Sequence, residues 1–146
     1  MSDFRQVTPS FWASPQITLA DVAEAAALGF TLIVNNRPEG EAEDQTPGAE
    51  IAAATRATGM DYHAVPVSPG GFDEGQVRAL AEALAKARGP VLAYCRSGTR
   101  STLLWSLVQA IEGRAPDSIA ADAARAGYDV GPIMPLLEQL AARSRS

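Results

Sequence analysis

The chain has 146 residues, enough for one domain, 1–146, that buries about 68–70% of its unfolded surface. Twelve basic against 17 acidic side chains give a net charge of −5, which argues against a general partner in nucleic acid or an anionic membrane surface. No apolar run nears the roughly 18 residues of a membrane span, and the first residues lack the basic-then-apolar pattern of a secretory signal, so a cytoplasmic location is expected.

Residues 1–17 carry Phe4, Val7, Phe11, Trp12 and Ile17 between Pro9 and Pro15, which predicts a short extended segment or a hairpin at a sheet edge. Thr18-Leu19-Ala20-Asp21 has the form of a capping box, with Asp where Glu is usual. It opens a helix with Leu19, Val22, Ala26 and Leu28 at its apolar positions and Gly29 as its stop. Residues 30–34 read as a buried strand. The polar loop Asn35-Asn36-Arg37-Pro38-Glu39-Gly40-Glu41 follows. At the carboxyl edge of a parallel sheet such a loop faces a ligand, so Arg37 either reaches an anion site or closes a surface ion pair.

A helix over 47–58, with Ile51 and Ala54 on one face, ends at Gly59. Residues 61–67 form a strand in which His63 has a structural or surface role and Pro66 marks a strand end or edge. Gly70 and Gly71 give the next loop conformational freedom. Asp73-Glu74-Gly75-Gln76 reads as a second capping box, starting a helix over 74–87. Gly89 and Pro90 then lead into a strand at 90–94. From Ser101 a helix runs to about Glu112, with Leu103, Leu104, Leu107, Val108 and Ile111 in the core and Trp105 partly at the surface. Asp117 caps another helix to Ala126, and 132–142 is the last. Strands alternating with helices predict an α/β fold, a mostly parallel central sheet of four to five strands flanked by helices.

The informative stretch is Val91-Leu92-Ala93-Tyr94-Cys95-Arg96-Ser97-Gly98-Thr99-Arg100-Ser101. A buried strand ends at the chain's one cysteine, and a tight loop leads into a helix. Backbone N–H groups at a helix mouth point at whatever occupies the loop, and the dipole favours negative charge there. Cysteines in such settings, beside arginine, are nucleophilic thiolates at neutral pH. Arg100 can hold an oxyanion bidentately. A buried cysteine is ordinarily a small apolar filler, but a glycine-containing loop with two arginines points to chemistry. One cysteine cannot form an internal disulfide, and with one histidine it does not make a structural zinc site. No metal or cofactor is called for.

Cys95 through Ser101 resembles the loop of cysteine-based phosphatases and rhodanese-type sulfurtransferases. Together with Gly29-Phe30, Asn35 through Glu41, Pro66-Val67 and Tyr94, it resembles the phosphatase-like domains of bacterial beta-lactamase-hydrolase-like proteins, over roughly residues 5–112. The resemblance implies a dual-specificity-phosphatase-like fold with Cys95 as nucleophile. Some relatives occur beside persulfide dioxygenase domains and are described as sulfur transferases. Protein tyrosine phosphatases place five residues between cysteine and arginine and usually a histidine before the cysteine. Here four residues separate Cys95 from Arg100, as in rhodaneses, and Tyr94 precedes the cysteine.

That spacing ranks sulfur transfer first. Cys95 takes a sulfur from a small anionic persulfide or thiosulfonate and passes it to a thiol or other acceptor. Arg96 and Arg100 bind the anion, Gly98 belongs to the N–H cradle, and Ser97, Thr99 and Ser101 tune it. The alternative is a phosphatase working through a Cys95 phosphocysteine, with Asp73 as proton donor or only a helix cap; general acid–base help is worth about 10²–10⁴-fold. The other alternative is a non-catalytic anion- or partner-binding domain.

Overall fold

The computed structural model describes residues 2–145. A hairpin of β1 (Arg5–Thr8) and β2 (Phe11–Ser14) opens the chain, its turn closed by the N–H groups of Ser10 and Phe11 donating to the Thr8 hydroxyl. Then come α1 (Leu19–Ala27), β3 (Leu32–Asn35), α2 (Gly48–Ala57), β4 (Asp61–Ala64), α3 (Glu74–Lys86) and β5 (Val91–Tyr94). The chain ends with α4 (Thr99–Ile111), α5 (Pro116–Arg125), a 3-10 turn (Gly131–Ile133) and α6 (Met134–Arg145). The sheet order is β1-β2-β5-β3-β4, antiparallel at β1–β2 and parallel elsewhere.

The central strands β3 and β5 are buried along their whole length, as expected for a sheet covered on both faces. Their side chains alternate between two cores. Leu32, Val34, Val91 and Ala93 face the layer of α3, α4, α5 and α6, whereas Ile33, Leu92 and Tyr94 face α1 and α2. Both expected capping boxes form: Thr18 with Asp21 at α1, Asp73 with Gln76 at α3. His63 lies on exposed β4 at the sheet edge. Pro66 stands just past β4, between Val65 and Val67, whose N–H groups still reach Asn35 O and Asn36 O at 2.9 Å.

Several expectations are corrected. Trp105 is buried because β2 and the segment after α4 cover it: its ring stacks on Phe11 at 5.5 Å, and the Arg114 guanidinium lies 5.8 Å from its centroid. Ile111, Leu19 and Leu28 are exposed, each near a helix end where the core no longer covers its face. Asp117 does not cap α5: Ala115 holds that position without a side-chain bond, Pro116 supplies the first helical residue, and Asp117 lies in the first turn. The helix after the cysteine starts at Thr99, two residues earlier than its periodicity suggests, because Gly98 adopts φ +94.

Candidate active site

The C-terminal ends of β2, β3, β4 and β5 all open on one edge of the sheet, where a parallel sheet gathers its loops. Cys95 follows β5 directly and is wholly buried. It therefore forms the floor of the site rather than a solvent-facing rim. The Gly98 N–H points at its sulfur, 3.1 Å away.

α4 begins within the loop, so the first N–H groups of the helix have no intrahelical acceptor. The Thr99 N–H is taken by the Ser97 hydroxyl, which also donates to the Thr99 hydroxyl. Among the described residues, no protein acceptor takes the N–H of Arg96, Ser97, Arg100 or Ser101. The Ser101 hydroxyl is fully buried without a hydrogen-bond partner. Thr102 and Ser106 are also buried in α4 but donate back to Gly98 O and Thr102 O.

Arg100 is held by two other loops. Its Nη1 donates to Glu41 Oε2 at 2.7 Å and to Val67 O at 2.6 Å, and its Nη2 donates to Glu41 Oε1 at 2.8 Å. This bidentate pair is mostly shielded, with the side chains of Arg100 and Glu41 16% and 17% exposed. A guanidinium has five N–H donors, and these contacts engage three of them. Nε–H and one Nη2–H remain, sharing an edge of the planar fork. The Glu41 hydrogen bond raises the Arg100 pKa, desolvation opposes it, and the nearby Cys95 adds to the rise.

Arg37 is buried and does not approach the cysteine as a free cation. Its Nε donates to Glu41 Oε1 at 2.9 Å, and its Nη1 donates to Gln16 Oε1 at 3.0 Å. Gln16 in turn donates its N–H to Arg96 O. Glu41 thus lies between two guanidiniums. The Arg100 hydrogen bond lowers its pKa to about 2, desolvation opposes the shift, and Arg37 adds to it. Arg96 is exposed at the rim. Asp73 is exposed as well, its carboxylate accepting from the Gln76 N–H at 2.8 Å.

Two residues of this constellation carry no role in the sequence reading. Glu41 is legible only as an i,i+4 partner of Arg37, because its contact with Arg100 spans 59 positions. Tyr128 donates its hydroxyl to Ser97 O across 31 positions, and no local pattern announces it.

The doubly flanked, mostly parallel sheet, with a cysteine ending a strand at its carboxyl edge and an arginine in the first turn of the next helix, defines a fold of the cysteine-based phosphatase-like class. The chain belongs to the family of phosphatase-like domains of beta-lactamase hydrolase-like proteins, whose profile it matches over residues 3–112. A beta-lactamase hydrolase-like protein of Agrobacterium fabrum is 38% identical over 116 residues, which are 79% of this chain but only 27% of that relative. The chain therefore spans about a quarter of that protein's length. Among solved structures, a Neisseria meningitidis protein provisionally assigned as a phosphatase is 33% identical, with TM-score 0.84 over 96% of this chain and 99% of that one. Kinase associated phosphatase, solved with serine replacing its catalytic cysteine, has TM-score 0.74 at 15% identity over 100% of this chain and 96% of its own. That distant likeness speaks for the fold alone. None of these relatives carries the sulfurtransferase expectation, so the order of the two chemistries is reversed.

Proposed function

We propose that this domain hydrolyses small phosphate monoesters through a Cys95 phosphocysteine. The observation that carries the reading is the division of the Arg100 fork. Glu41 and Val67 engage three of its N–H groups, and the remaining edge, which interacts with Cys95 in this state, is the one that meets two oxygens of a tetrahedral anion. Cys95 Sγ attacks phosphorus, and the S–P bond forms as the ester P–O bond breaks. The bridging oxygen departs with a proton. Negative charge on the remaining oxygens is met by that Arg100 edge and by N–H groups of the loop and first turn, from Arg96, Ser97, Arg100 and Ser101. Donors of this kind, fixed before the reaction, are each worth about 10²–10³-fold. Water then attacks phosphorus and returns a proton to the group that protonated the leaving oxygen; the S–P bond breaks, and inorganic phosphate leaves with the thiolate restored. Because the sulfur is buried with Arg100 beside it, a substrate must displace side chains at the floor to reach it.

In this mechanism Arg96 is a rim cation that draws the anion in, and Ser97 and Thr99 hold the loop's shape through their mutual hydrogen bonds. Arg37 acts through Glu41. Asp73 is the proposed proton donor, although its carboxylate accepts as a helix cap in this state. Aryl esters place the least demand on it, because a phenolate leaves more readily than an alkoxide.

Sulfur transfer is the second reading, favoured by the four-residue spacing and by the cap role of Asp73, since a departing thiolate or sulfite needs no acid. A paired assay separates the two. Aryl-phosphate hydrolysis is measured against sulfur release from thiosulfate and glutathione persulfide, each with Cys95→Ser. Phosphate release abolished by Cys95→Ser is expected; sulfur release without phosphate release reverses the ranking, and silence in both favours a binding domain. Asp73→Asn preserves the cap, since Asn caps as well as Asp, and should slow alkyl esters by about 10²-fold. An unchanged rate leaves Asp73 as a cap only.

A further inference from the structure

In a trans peptide the carbonyl and N–H of one plane point in opposite directions. The Ser97–Gly98 plane sends its N–H to Cys95 Sγ at 3.1 Å and its carbonyl to the hydroxyl of Tyr128, also at 3.1 Å. The two contacts are opposite ends of one rigid unit. We propose that Tyr128 is a positioning residue for the nucleophile: by donating to Ser97 O it fixes the plane whose far side serves Cys95. The inference rests on the reading of Cys95 as the nucleophile.

The plane needs holding. Gly98 sits at φ +94, where glycine moves between backbone regions at little cost. Turned over, the unit would aim its carbonyl dipole at the thiolate and remove one donor from it. Tyr128 also packs against this glycine, its hydroxyl lying where a Cβ on Gly98 would have to go, so only glycine fits beneath it. The phenol is buried, and its pKa is raised by desolvation, with Arg5 opposing and Cys95 adding, so it stays a donor through the neutral range. The charged groups around it are Arg5, whose guanidinium lies 5.3 Å from the ring centroid, Asp3, which pairs with Arg5 at 3.0 Å, and Cys95 itself. Tyr128 follows α5, beyond the 3–112 stretch that the family profile covers. The C-terminal segment therefore supplies part of the site.

Tyr128→Phe keeps the ring and removes the donor. Cys95 is the chain's one thiol, so its alkylation by iodoacetamide reads the sulfur without any turnover. In Tyr128→Phe the pH of half-maximal alkylation should rise by about half a unit. The kcat for p-nitrophenyl phosphate at pH 6 should fall about three- to tenfold, the weight of one hydrogen bond. Arg5→Lys keeps the charge but removes the guanidinium from over the ring, and should leave the alkylation profile in place. Superimposable profiles for Tyr128→Phe and native protein overturn the proposal. So do equal shifts in both variants, or loss of cooperative melting in Tyr128→Phe, each marking a structural prop. A native protein that releases no phosphate, while Tyr128→Phe still shifts alkylation, refutes the phosphatase reading and leaves the positioning role standing.

Discussion

A carboxylate clamped between two guanidiniums answers to acid differently from one on the surface. Glu41 is held by Arg100 and Arg37 with its pKa at about 2, against 4.5 ordinarily. The folded value lies below the unfolded one, so its contribution is fully present above about pH 4.5 and is lost as pH falls toward 2. The shift corresponds to something on the order of 3 kcal/mol. Glu41→Gln keeps the shape but leaves two shielded cations facing each other, and breaking such a pair costs about 3–5 kcal/mol. Urea unfolding at pH 7 should show that loss. Repeated at falling pH, the gap between native and variant should close between pH 4.5 and 2. A gap that stays constant over that range would show that Glu41 acts through shape and not charge. The same variant frees the end of the Arg100 fork to swing, so phosphatase kcat should drop with it.

At the scale of elements, the loop and helix around Cys95 depend on one backbone conformation. Gly98 is the N-cap of α4 at φ +94, and its carbonyl accepts from both the N–H and the hydroxyl of Thr102. Gly98→Ala forces a side chain into the left-handed region and onto the Tyr128 hydroxyl, a strain of about 1–3 kcal/mol. Thermal melting should fall accordingly, with turnover falling further because the Gly98 N–H leaves the sulfur; activity lost only in proportion to stability would count against the cradle. What was legible in the sequence divides along the same line. Both capping boxes are side chain–backbone exchanges over three residues, so Thr18 with Asp21 and Asp73 with Gln76 could be read directly. The loop from Cys95 to Ser101 was legible because strand, glycine and helix are consecutive. The partner of Arg100 was not, since Glu41 comes from the loop after β3 and only parallel pairing of β3 with β5 brings the two together. The burial of Trp105 is not legible, because periodicity reports one buried face, whereas α4 is covered on more than one side.

At the scale of the molecule, the family profile stops at residue 112, yet the described fold does not. Ile119, Ala123, Tyr128, Val130, Leu137 and Ala141 are buried in the same core as Leu104, Leu107 and Val108 of α4. Full burial of each large apolar side chain among them is worth about 1.5–3 kcal/mol, and a domain's whole stability is only about 5–15 kcal/mol. Removing the C-terminal helices therefore subtracts an amount comparable to all the stability there is, and it also exposes the covered side of α4. A chain ending at residue 112 should show no cooperative thermal transition by circular dichroism and should bind a hydrophobic dye. Adding residues 113–146 back as a separate peptide should restore little, because a disconnected segment must also overcome the entropy of association. A cooperatively melting 1–112 fragment would mean that the sheet with α1 to α4 is self-sufficient. In that case Tyr128 is an addition to a complete site, and the fragment's turnover should match that of Tyr128→Phe rather than fall to the level of Cys95→Ser.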